Sequence, residues 1–138
     1  VVIDGEYQAL RADGFYIKED GLYGLRKPEL LTDDLPVFFK FDLSTGEQID
    51  LMEMDDVDTY YTIYGADDGH WYYMEEKDDE ILIRRTDSTF TEKKTMGTID
   101  AEKYGVSLSG CEVLYSQGVI YFYHVDGDRV RVIYRLDI

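Results

Sequence analysis

Asparagine is absent from this 138-residue chain; proline and histidine occur twice each, cysteine and tryptophan once. Without asparagine there is no N-glycosylation acceptor and no Asn-Gly hairpin turn. The lone Cys111 excludes an internal disulfide and a cysteine-based zinc cage. It fits a reducing compartment and equally a bacterial surface protein that uses no disulfides. Bases are scarce too, 14 against 30 acids, for a net charge of -16. Such a surface repels phosphate, which excludes nucleic acid as a partner and disfavours an anionic bilayer. No apolar run nears the roughly 18 residues of a spanning helix, so no membrane span is expected. The start Val1-Val2-Ile3, without methionine, reads as a processed chain or a piece of a longer one.

What is present points to sheets. Apolar residues reach 44% and charged residues 32%, enough for one globular domain over residues 1–138. Thirteen tyrosines and six phenylalanines suit pleated strands. Asp-Gly, a turn-forming dipeptide, occurs five times, as Asp4-Gly5, Asp13-Gly14, Asp20-Gly21, Asp68-Gly69 and Asp126-Gly127. The composition is that of an all-β domain.

The strands recur in a pattern. Gly69-His70-Trp71-Tyr72-Tyr73 returns as Gly118-Val119-Ile120-Tyr121-Phe122, with a shorter echo at Gly14-Phe15-Tyr16. Each is preceded by a β-like run, at residues 7–10, 60–64 and 112–115. Each is followed by a run ending in basic-x-Asp: Lys40-Phe41-Asp42, Arg85-Thr86-Asp87 and Arg135-Leu136-Asp137. Polar fourth runs follow the first two, near residues 47–52 and 91–96. The unit is therefore a four-stranded antiparallel meander of about 45–50 residues, a blade-like period. Units fall near residues 6–52, 58–96 and 111–138, and the third stops after its third strand. About eleven strands are expected, with an irregular excursion over residues 20–36, within which Leu22-Tyr23 is a candidate to extend a hairpin and residues 28–31 a candidate helical turn. Trp71 and Tyr73 should face away from His70, Tyr72 and Met74. Val130, Val132 and Tyr134 should oppose Arg131 and Arg135, with Ile133 breaking the alternation.

These Gly-x-Trp/Ile-Tyr-aromatic and Arg-x-Asp elements resemble degenerate β-propeller repeats, above all low-density-lipoprotein-receptor-type repeats and those of bacterial secreted proteins. The resemblance covers roughly residues 6–138. It implies a propeller or propeller fragment and a habit of binding other molecules, and it carries over no catalytic residue. Three units do not close a ring of the usual four to eight blades. Terminal sheets then keep an aromatic-rich face unburied, so self-association or burial against further blades is expected. Residues 1–3 offer a fourth strand for the last unit.

Catalytic patterns are missing. There is no His-Glu-x-x-His, residues 105–110 do not form a nucleophile elbow, and no glycine loop cradles phosphate. His70 and His124 read as ordinary strand residues, the alternative being a metal or acid–base pair. Hard-oxygen clusters at Asp55-Asp56-x-Asp58, Asp78-Asp79-Glu80 and Asp126-Gly127-Asp128 are of the kind Ca²⁺ requires, and equally of the kind solvated turns carry. In a meander, the second-to-third and fourth-to-first connections share one rim. Read from sequence, that rim spans residues 19–36, 53–58, 75–80, 97–110 and 126–129, with 18 acids against five bases. Its expected contact residues, for Ca²⁺ or a basic surface, are Asp55, Asp56, Asp58, Asp78, Asp79 and Asp126. The function expected is a non-enzymatic, propeller-like binding module for a protein or glycan, in a larger bacterial surface or secreted protein. The alternatives are a carbohydrate-active hydrolase and an acidic inhibitor or immunity-type protein for a basic partner.

Overall fold

The structure is a computed structural model that describes residues 2–3, 6–7, 15–26, 34–56, 59–67 and 69–138. It is all-β, with antiparallel sheets of four, four and three strands and one small hairpin. The chain divides into two compact units, Val1–Asp58 and Thr59–Ile138.

In the first unit β1 (Val2–Ile3) pairs with β2 (Glu6–Tyr7). The four-stranded sheet then runs β3 (Phe15–Lys18), β4 (Gly21–Arg26), β5 (Val37–Phe41) and β6 (Gln48–Glu53), each paired with the next. Consecutive residues of a strand point to opposite faces, and Phe38 and Phe39 are both buried, so the middle of this sheet is covered on both sides. The outermost β6 exposes Gln48, Ile49 and Asp50, the outward rise in polarity that the repeat implies.

Two expectations about this unit are corrected. Gly14-Phe15-Tyr16 is the expected second strand, but Phe15–Lys18 forms the first strand of its sheet and Gly21–Arg26 the second. The excursion expected over residues 20–36 thus begins with an ordered strand, in agreement with the hairpin offered at Leu22-Tyr23. The expected first strand at residues 7–10 is described only at Tyr7, in β2; the rest of it, Gly14 and the helical turn at residues 28–31 lie outside the described residues. Val2 and Ile3, expected as a fourth strand for the last unit, pair with Tyr7 and Glu6 in a small hairpin of the first unit.

The second unit carries a four-stranded sheet, β7 (Tyr60–Ala66), β8 (His70–Lys77), β9 (Glu80–Asp87) and β10 (Lys93–Asp100). A short helix α1 (Ala101–Tyr104) and a 3₁₀ turn (Leu108–Gly110) lead into the three-stranded sheet. Its strands are β11 (Glu112–Ser116), β12 (Val119–Asp126) and β13 (Arg129–Asp137). The helix starts where Asp100 accepts the Lys103 amide and stops at Gly105, which takes φ +61°.

Period-2 alternation builds the core between these sheets. Tyr72 and Met74 of β8, Ile81 and Ile83 of β9 and Ile99 of β10 meet Ile120 and Phe122 of β12. Trp71 and Tyr73, on the other face of β8, are buried too, as the alternation predicts. Strand β13 departs from the expected pattern. A register shift lets Phe122 pair with Tyr134 and Tyr123 with Val132, leaving Ile133 as a bulge. One extra residue reverses the parity of every side chain beyond it. Tyr134 therefore packs on the core, whereas Val130 and Val132 stand exposed on the opposite face.

The recurring Asp of basic-x-Asp closes the turn after the third strand. Asp42 accepts the Ser44 hydroxyl at 2.6 Å and the Ser44 and Thr45 amides at 2.8 and 3.1 Å. Asp87 accepts the Thr91 and Glu92 amides at 2.8 and 2.9 Å, together with the Thr89 hydroxyl. The Ser44 hydroxyl and the turn amides pull the Asp42 carboxyl down to about 2. The Glu92 amide and Thr89 hydroxyl hold Asp87 well below the usual carboxylate range. A carboxyl depressed in the folded state stabilises above its unfolded value of 3.8 and loses that contribution as pH falls through the folded value. Asp87→Ala should therefore melt below wild type at pH 7, with the gap narrowing as pH falls from 4 towards 2. Thermal melts across that range test this, and a gap independent of pH would assign the loss to something other than the carboxylate.

Candidate functional site

The acidic residues singled out from sequence fall in both units. Asp55 and Asp56 follow β6 in the first unit, whereas Asp78 and Asp79 belong to the second. Asp58 and the side chain of Asp126 lie outside what is described. Among the described residues no group of three or more His, Cys, Asp or Glu side chains is arranged to hold a metal ion.

Asp78 and Asp79 form the two-residue turn between Lys77 and Glu80, with φ of +50° and +65°. Positive φ at both central residues is the requirement of a type I′ hairpin, which an Asn-Gly dipeptide meets best. The Asp79 carbonyl also accepts the Ala101 amide at 2.8 Å, tying the turn to the start of α1. The double substitution Asp78→Asn/Asp79→Gly removes two charges and relieves the left-handed backbone, so it should raise stability by about 0.5–1 kcal/mol. Urea unfolding checks this, and a loss of stability would mean that the carboxylates themselves contribute.

The acidic rim read from sequence also contracts. Glu19 and Asp20 make the β3–β4 turn, at the opposite end of the sheet from the β4–β5 connection. There Asp20 accepts the Lys40 ammonium and the Tyr23 hydroxyl, both at 2.8 Å. Glu75, Glu76 and Glu80 lie within strands, not loops. Glu76 accepts the Ser107 hydroxyl at 2.9 Å and the Leu108 amide at 2.8 Å, anchoring the segment before the 3₁₀ turn.

The two histidines do not form a pair. His70 begins β8, its Nδ1 3.3 Å from Asp67, which also accepts the Gly69 and His70 amides and the Tyr72 hydroxyl. Burial works to raise the Asp67 carboxyl, but those donors outweigh it and leave the group below the usual carboxylate range. Tyr72 stacks on Tyr115 at 5.3 Å, so this carboxylate steadies an aromatic stack between the two sheets. His124, near the far end of β12, places Nδ1 3.1 Å from the Gly110 carbonyl and 4.0 Å from Cys111 Sγ. Burial pushes the Cys111 thiol up, away from the thiolate that nucleophilic chemistry needs.

In the second unit the three-stranded sheet exposes apolar side chains on its outer face, as Phe15 and Ile17 do on β3 of the first unit. Leu114 on β11, Val125 on β12 and Val130 and Val132 on β13 are exposed by 49% to 66%. Val125 pairs with Val130 and Tyr123 with Val132, while Leu114 pairs with Tyr121, so these side chains form one contiguous strip. Tyr123 donates to Glu112 at 2.7 Å, and that carboxylate raises the Tyr123 phenol. Three arginines, Arg129, Arg131 and Arg135, lie exposed along β13. Only Arg135 has an ion-pair partner among the described residues, Asp137 at 2.8 Å. Residue pattern alone did not locate this strip, because its decisive step is the bulge at Ile133. No family model, curated protein or solved structure matches the chain, so its function has to be read from its own geometry.

Proposed function

We propose that this chain is a non-enzymatic binding module of blade-like repeats whose ligand is a protein, held on the outer face of β11–β13. The observation that carries the reading is the exposed strip of Leu114, Val125, Val130 and Val132, interleaved with Tyr121 and Tyr123 and joined on that face by Arg135. Contiguous apolar patches of this kind mark interaction surfaces, and tyrosine with arginine is the composition of protein–protein contacts. Branched aliphatic side chains offer a sugar ring little to stack upon, which favours a protein over a glycan.

Three features support a propeller-like plan. Each sheet is a meander with consecutive strands paired. The glycines that open or immediately precede the second strands, Gly21, Gly69 and Gly118, recur at intervals of 48 and 49 residues. Between the last two sheets, the first strands β7 and β11 run nearest each other, as blades do near an axis. A place in a larger surface or secreted protein belongs to the same reading.

The test is selection of ligands from a displayed random-peptide library and a glycan array, followed by Leu114→Asp/Val132→Asp. Peptides should be selected, and this exposed-face variant should weaken them by about tenfold or more while its melting temperature stays close to wild type. Selection or hydrolysis of a glycan, or peptide binding that ignores both substitutions, would overturn the proposal.

A further inference from the structure

We infer that the free edge of β13 accepts an extended acidic segment of the partner protein as a fourth strand, an inference that rests on the protein-binding reading above. In both four-stranded sheets the third strand is covered by a fourth, β5 by β6 and β9 by β10. Strand β13 is the third strand of its sheet and spans nine residues, and its outer edge pairs with no strand among the described residues. Such an edge presents a row of unpaired amides and carbonyls, the template for strand addition.

Charge selects the occupant. Within a chain of net charge -16, β13 carries three arginines against a single aspartate. Arg131 lies opposite His124 and Arg135 opposite Tyr121, so the positive side chains stand on both faces of the edge strand. Arg129 and Arg131 have no ion-pair partner among the described residues, and an incoming strand with carboxylates on either face would supply them. In the first sheet a fourth strand already brings a carboxylate to an arginine, there one on the second strand β4. That fourth strand, β6, Gln-Ile-Asp-Leu-Met-Glu, is acidic, and Asp50 accepts both guanidinium nitrogens of Arg26 at 3.2 and 2.9 Å.

The probe is a synthetic peptide with the sequence of residues 42–53, carrying Asp42, Glu47, Asp50 and Glu53. It is compared with a neutral version in which Asp is replaced by Asn and Glu by Gln. Titrated into the full ¹⁵N-labelled chain, the acidic peptide should shift the amides of residues 129–137. The neutral version should bind about tenfold or more weakly, and raised salt should weaken the acidic peptide alone. Peptides N-methylated on alternate residues should bind in one phase and fail in the other, as strand addition requires. Arg129→Glu/Arg131→Glu should lose the acidic peptide about tenfold, and the peptide-side controls give the same answer without altering the protein. Shifts confined to β5, equal binding of the neutral peptide, or no shift in β13 would each overturn the inference. If library peptides still bind in a manner sensitive to Leu114→Asp/Val132→Asp while this peptide leaves β13 untouched, the edge inference fails and the binding module stands. Silence in both experiments removes both.

Discussion

Phe122→Ala is expected to lower the unfolding free energy of the second unit by about 3–5 kcal/mol. Phe122 is fully buried in the central strand of the three-stranded sheet, within the cluster of Tyr72, Met74, Ile81, Ile83 and Ile120. Truncating the ring removes its transfer free energy and leaves a cavity that two hydrogen-bonded sheets cannot close by moving one side chain. Since domains are stable by only about 5–15 kcal/mol, a loss of this size should be plain at room temperature. The lone Trp71, buried on β8, reports on the second unit directly during urea unfolding. Phe122→Leu, which keeps most of the volume, should cost much less. A drop below about 1 kcal/mol for Phe122→Ala would mean that the sheets do not pack through this side chain.

Gly65→Val should be comparably damaging for the opposite reason. A Cβ at Gly65 would stand 2.8 Å from both Cβ and Cγ of Tyr115, the root of a side chain and not its movable end. The glycine lets β7 and β11 approach, and any larger residue must push the two sheets apart. Overpacking of this kind costs about 1–3 kcal/mol, and the branched Val should reach the upper end. Gly97 offers an internal comparison, because its nearest neighbour is the Tyr134 hydroxyl, at the far tip of a ring. Gly97→Ala should therefore be milder than Gly65→Ala. Pairing Gly65→Ala with Tyr115→Ala should cost less than the sum of the two single changes, since the clash disappears. Full additivity in that cycle would show that the sheets do not touch there.

Much of the architecture is legible in the residue pattern because aromatic alternation, Asp-closed turns and regular spacing coincide. The three antiparallel meanders, and the opposite faces taken by Trp71/Tyr73 and Tyr72/Met74, follow from that coincidence. The first sheet is placed one strand out because Gly14-Phe15-Tyr16 imitates a second strand better than Gly21-Leu22-Tyr23 does. Only the glycine interval separates the two. Asp78 and Asp79 look like ligands in sequence because they belong to a run of hard-oxygen carboxylates; the positive-φ hairpin turn they form is not announced by the residue types. Helix α1 is hidden in an expected loop, although Asp100 and Gly105 supply its caps.

The candidate site is less legible for a more specific reason. Val130-Arg131-Val132 reads as an ordinary half-buried strand, and the alternation carries no mark of which face is core. That choice is made by the bulge at Ile133, a tertiary feature of the β12–β13 register. The exposed strip exists because Tyr134, and not Val132, turns inward.

Amide hydrogen exchange along β13, read residue by residue at low micromolar concentration, tests most directly whether this sheet keeps a free edge. In an edge strand, alternate amides point away from the partner strand and have no acceptor. Residues 129–137 should therefore alternate between fast and slow exchange, with the phase shifting at the Ile133 bulge, while β8 and β9 stay uniformly slow. Uniform protection of β13 at every concentration would show that its edge is already covered and would contradict a docking surface there.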